Sequence, residues 1–169
     1  MNQLRLVGLV TALVLAAPGG TAAQTAPAPK PDFSSLAFFN GNWTCTRTKS
    51  PNPKRVGSTY RFMAALDPSG YWQTYRVVEG DVATDGHLTY DATAKAWTFL
   101  YVSSTGDYGV ATSPGWTGTT MVYKDVLNGG GAPLGSSTFT KTSDTALTRE
   151  YAVTTPTGTL TYTSSCVKS

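Results

Sequence analysis

The chain has 169 residues, a formal net charge of +3 and only 14% charged residues. Its 13 Lys and Arg and 10 Asp and Glu are scattered, with no basic stripe, so nucleic-acid binding has no electrostatic footprint. The length suits one domain with a core large enough to need neither metal nor several disulfides.

Residues 1–5 carry one positive charge, at Arg5; residues 6–17 are apolar except for Gly8 and Thr11. Pro18-Gly19-Gly20 breaks a helix and Thr21-Ala22-Ala23 offers small residues for cleavage. That order reads as a secretory signal peptide over residues 1–23. The alternative, a retained membrane anchor, needs about 20 apolar residues. The mature protein is expected in the periplasm or secreted, with no stable membrane span. Residues 24–31 form a Pro/Ala-rich linker, and residues 32–169 form the folded domain.

Asp32 can cap a helical turn that puts Phe33, Leu36 and Phe39 on one face, a plug for one end of the fold. Trp43, Cys45 and Arg47 then alternate with threonines, the period of a strand. Further strands are expected at 57–66, 71–79, 87–91, 95–103, 107–112, 116–126, 135–142, 145–153 and 158–167. Gly80 to Gly86 reads as a polar loop. Asp67-Pro68-Ser69-Gly70 is a strong hairpin turn, and Gly/Pro/Ser clusters separate most of the other strands. The 28 threonines and 9 tyrosines suit strands. The expectation is an all-β, antiparallel fold of roughly ten strands, as a barrel or a sandwich. Residues 96–102 are apolar on both faces, so the tether, a second copy (a homodimer) or a sandwich would have to cover the outside.

Two cysteines in an exported chain point to one disulfide, Cys45–Cys166, the alternative being two free thiols. The bond would lay the first and last strands side by side, as closing a barrel requires.

Phe39-Asn40-Gly41-Asn42-Trp43 resembles the Gly-x-Trp entry of lipocalins and their calycin relatives. Asp85-Gly86-His87-Leu88-Thr89-Tyr90-Asp91, then Lys95-Ala96-Trp97, Ser104-Thr105-Gly106 and Gly115-Trp116-Thr117-Gly118, resemble a family of bacterial lipocalin-like proteins of unknown function. The resemblance implies a closed antiparallel barrel with a helical plug. It also implies that Trp43 packs under an Arg from a late strand, for which Arg149 is the candidate.

His87 is the only histidine, and reads as a hairpin surface residue rather than a metal ligand. The sequence offers no Gly-x-Ser-x-Gly elbow, no phosphate loop, no catalytic set, no metal set and no cofactor motif. The aromatic supply suits an apolar or amphiphilic guest inside the barrel. The candidate ligand contacts are Trp43, Tyr75, Tyr90, Trp97, Phe99, Tyr101, Tyr123, Arg149 and Tyr151. A small barrel enzyme, isomerase or hydrolase, and an interaction module using an apolar outer face are the alternatives.

Overall fold

In the computed structural model, which describes residues 29–169, the alternation of residues 43–47 becomes the first wall of a barrel: Trp43 and Cys45 are buried and the threonines between them face outward. The expected signal peptide and most of the linker lie outside the described residues. Eleven strands follow in order. They are β1 (Gly41–Lys49), β2 (Thr59–Leu66), β3 (Gln73–Glu79), β4 (Val82–Asp91), β5 (Ala96–Ser103), β6 (Tyr108–Ser113), β7 (Trp116–Thr117), β8 (Thr120–Asn128), β9 (Gly135–Ser143), β10 (Ala146–Thr155) and β11 (Gly158–Lys168). Every pairing is antiparallel. β1 to β6 run as successive neighbours, β6 pairs with β8, and β8 to β11 return to β1. β7 is a two-residue spur on β8, so ten strands close the ring. A closed ring excludes the sandwich.

The closing seam is the pair β1–β11. Cys45 stands opposite Cys166, with Cα atoms 4.0 Å apart, and the two are joined by a disulfide. Both are fully buried beside Trp43 and Leu147.

Before β1, a 3-10 turn (Ser34–Phe39) buries Leu36 and Phe39, with Phe33 beside them. The i, i+3 spacing sets this face. Asp32 Oδ1 accepts the Ser34 N–H at 2.9 Å. A short turn leaves its carbonyls unsatisfied, and here side chains from the strands and the β7 spur supply the donors. Trp43 Nε1 donates to the Phe39 carbonyl at 2.9 Å, Gln73 Nε2 to that of Leu36 at 3.3 Å, and Trp116 Nε1 to that of Ser35 at 2.8 Å.

Two strand expectations need correction. The loop read over 80–86 is the start of β4. Its turn is only Gly80-Asp81, with Gly80 at φ 57°, and Glu79 pairs with Val82. The polar residues that suggested a loop belong to a strand: outward Asp85 bonds Arg76 at 3.1 Å, while Thr84 faces the interior. Gly86 is there because a Cβ would run into the Phe99 ring. The strand read over 116–126 breaks at Gly118, φ 58°, into the β7–β8 hairpin.

The two-sided apolar strand is β5. Trp97, Phe99 and Tyr101 point inward, while Leu100 and Val102 are exposed outside. Leu100 pairs with Val110, and Val110 with Leu127, so an apolar row crosses three strands on the outer face.

Candidate functional site

Period-2 alternation around a closed ring sends every second side chain to the axis. Here the inward set mixes aromatic with polar and charged side chains, and it leaves a cavity of about 630 Å³. Small-molecule sites commonly span roughly 300–1,000 Å³. Five rings form a closed belt around the cavity wall. Phe39 meets Tyr75 at 6.2 Å, Tyr75 meets Phe99 at 5.4 Å, Phe99 meets Tyr123 at 6.3 Å, Tyr123 meets Phe139 at 6.1 Å, and Phe139 returns to Phe39 at 5.4 Å. All five contacts are near edge-on, the arrangement ring quadrupoles favour.

Beside the belt lies a polar cluster. Asp125 Oδ2 accepts three hydrogen bonds: from the Gly135 N–H at 2.9 Å, the Tyr151 hydroxyl at 3.1 Å and Asn128 Nδ2 at 3.3 Å. Asn128 Oδ1 in turn accepts the Tyr101 hydroxyl at 2.7 Å. Burial pushes the hydroxyls of Tyr75 and Tyr123 well above the usual tyrosine range. Burial, followed by the Asp125 charge, does the same for Tyr151 and raises Tyr101. At neutral pH the cavity wall therefore presents neutral phenols.

A second cluster includes the more exposed part of the wall. Arg47 Nη2 reaches both Glu79 oxygens, at 2.8 and 3.0 Å, and Arg55 Nη2 reaches Oε1 at 2.6 Å. Burial alone would raise the Glu79 carboxyl, but the bonds and charges of the two guanidiniums outweigh it and hold it below the usual range. Exposed Thr105, Asp107 and Tyr108 line the cavity as well.

Arg149 points inward from β10. Its guanidinium lies over Phe139 at 5.7 Å and Tyr151 at 5.9 Å, and Nη2 donates to Ser137 Oγ at 3.1 Å. Its Nε is buried with no hydrogen-bond partner, as are Arg47 Nε and the Tyr60 hydroxyl.

Of the residues singled out from sequence, Tyr75, Phe99, Tyr101, Tyr123, Arg149 and Tyr151 line the cavity together. Trp43, Tyr90 and Trp97 do not. Trp43 is fully buried, stacked on Phe62 at 5.3 Å. The cation above it is not Arg149 but Lys168, its β11 register partner, with Nζ 5.2 Å from the ring. Arg149 sits opposite Phe139 and Ser164 in the ladders and is committed to the cavity instead. Trp97 packs between Phe33 and Tyr90, and Tyr90 is exposed near the end of β4.

Sequence reasoning missed Asp125, Asn128, Ser137, Tyr60 and Phe62. The alternation Tyr60, Phe62, Ala64 was a legible signal for the β2 pair. Asp125 is in phase with Tyr123, two residues before it, whereas Asn128 was hidden by a bulge. Val110 pairs with Leu127 and Ala111 with Asp125, so Val126 is an extra residue. Simple counting from Tyr123 puts Leu127 inside; the bulge turns Asn128 inward and leaves Val126 and Leu127 exposed.

His87 is exposed on the outer face, edge-on to Trp72 at 6.2 Å. Among the described residues no group of three His, Cys, Asp or Glu side chains is placed to hold a metal. The interior thus combines an aromatic belt with a set of fixed polar groups, which suits holding a guest. No protein-family model matches the chain, and no curated protein matches it at significant similarity.

Proposed function

We propose that this protein is an exported, lipocalin-like barrel that binds a small apolar or amphiphilic molecule in its interior and performs no chemistry on it. One observation carries the reading: a cavity of about 630 Å³ ringed by a closed belt of five aromatic side chains. The 3-10 turn acts as the plug, since Phe39 contributes to the belt from below, and the exposed residues around Arg55, Asp107 and Tyr108 form the mouth. The buried disulfide fits an oxidising compartment, periplasmic or extracellular. The lipocalin-like assignment draws on the Gly-x-Trp and hairpin motifs together with the up-and-down closure.

The alternative of an isomerase or hydrolase draws on Asp125 beside the Tyr151 hydroxyl. A base must be free to take a proton. Asp125 Oδ2 already accepts three bonds, and the phenols around it are held protonated. That pair reads better as scaffolding for the wall.

The test is titration with N-phenyl-1-naphthylamine, whose fluorescence rises in apolar surroundings. Saturable one-to-one binding is expected. Ala111, buried in the cavity wall, is the position to fill. Ala111→Phe is expected to lose the binding while keeping the wild-type circular dichroism. No saturable binding, or binding undiminished in the filled variant, contradicts the reading.

A further inference from the structure

We infer that the guest is a planar aromatic molecule carrying a single carboxylate, bound with the carboxylate on the Arg149 guanidinium and the rings inside the aromatic belt. The inference rests on the interior-binding reading above and sharpens it to a ligand class.

It begins with a charge count of the cavity wall. Glu79 is shared by Arg47 and Arg55. Asp125 accepts three hydrogen bonds, and Asp107 accepts one from Thr105 Oγ1 at 2.8 Å. Among the cations of the wall Arg149 stands apart from Arg55, which is paired with Glu79. Among the described residues no carboxylate lies within ion-pair distance of it, and one of its five donors is used, by Ser137. Its Nε is buried and unpartnered. A half-buried guanidinium without a counter-ion favours an anionic partner, and its planar fork matches a carboxylate in two parallel bonds.

The register strengthens the assignment. Arg149 pairs with Ser164, and Ser164 with Arg47, so both guanidiniums with a buried orphan Nε lie on one transverse row of β10, β11 and β1. Two strand spacings separate them at the backbone, roughly 10 Å. Arg47 is neutralised by Glu79; Arg149 remains for the guest.

The rest of the wall selects the body of the ligand. Tyr75, Phe99, Tyr123 and Phe139 present ring edges and faces, whereas the aliphatic lining is confined to the short side chains of Val77, Val82, Ala111 and Ala132. A flat ring system can join such a belt edge to face, an arrangement closed to an alkyl chain.

Displacement of N-phenyl-1-naphthylamine by 2-naphthoate, 2-naphthamide and decanoate at about pH 7, where a carboxylic acid is ionised, tests it. Naphthoate is expected to displace the dye at an at least tenfold lower concentration than its neutral amide, the scale of one charge-assisted hydrogen bond. It is also expected to outcompete decanoate. Arg149→Gln brings acid and amide within about twofold, and Arg149→Lys retains part of the preference, as a point charge without the fork would. Equal displacement by acid and amide in the wild type overturns the inference, as does a preference that survives Arg149→Gln. Decanoate ahead of naphthoate overturns its aromatic half. If the dye binds and none of the three competes, this inference fails while interior binding stands; if the dye itself does not bind, both fail. Should Arg149→Gln not fold, the wild-type comparison of acid with amide decides.

Discussion

Glu79 shows how a single carboxylate sets the behaviour of the cavity mouth. Two guanidiniums hold it ionised, at 2.8 and 2.6 Å, against a desolvation that works the other way. Its folded value is therefore below the ordinary 4.5. A carboxyl depressed by folding contributes stability that is present above its unfolded value and is lost as pH falls through the folded one. The melting temperature of wild type is expected to exceed that of Glu79→Gln at neutral pH, with the gap closing as pH drops below about 4. A gap that stays constant from neutral to strongly acidic pH would show that the charge does not stabilise the mouth. In the sequence Glu79 is only the last residue of the strand expected at 71–79. Its partners come from β1 and the turn after it, which become its neighbours only when β1, β2 and β3 pair.

At the scale of elements, the wall is shaped as much by what is small as by what is large. β9 begins with Gly135, and a Cβ there would meet the Tyr151 ring and the Ala152 carbonyl. The same residue donates its N–H to Asp125. Gly135→Ala should therefore push Tyr151 off its bond with Asp125 and lower stability by about 1–3 kcal/mol, the usual cost of overpacking. Chemical denaturation measures the loss, and a variant as stable as wild type would mean that Tyr151 has room to move. In the sequence this glycine reads as the first residue of a strand, and Gly86 reads as the end of a loop. Both are strand residues kept bare by a ring from the neighbouring strand, a contact that no local pattern announces. The bulge at Val126 belongs to the same class: one extra residue re-aims Asn128, and period-2 counting has no means of registering it.

At the scale of the molecule, alternation and turn chemistry were enough to make the barrel legible. Trp43, Cys45 and Arg47 share a face as spacing requires, the Asp-Pro-Ser-Gly turn is a hairpin, and the seam brings Cys45 to Cys166. What spacing could not settle was which inward aromatics surround space and which fill it. Trp43 and Trp97 pack close to the 3-10 turn, while Tyr75, Phe99 and Tyr123 belong to the belt, and only the three-dimensional closure separates the two sets.

The disulfide spans 121 residues of sequence. In the chain-entropy model a crosslink of that reach contributes about 5 kcal/mol, less any strain. Replacing both cysteines with serine is expected to lower the unfolding free energy by a few kcal/mol while the strands still pair. Unchanged stability would remove the seam from the forces that hold the ring shut.

The central claim is that the interior holds a guest. Native mass spectrometry of the protein purified from its own source tests it most directly. A discrete excess mass is expected, lost on denaturation and absent from the Ala111→Phe variant. A clean apo mass for the wild type, gently handled and saturably refusing the naphthylamine dye, would contradict it.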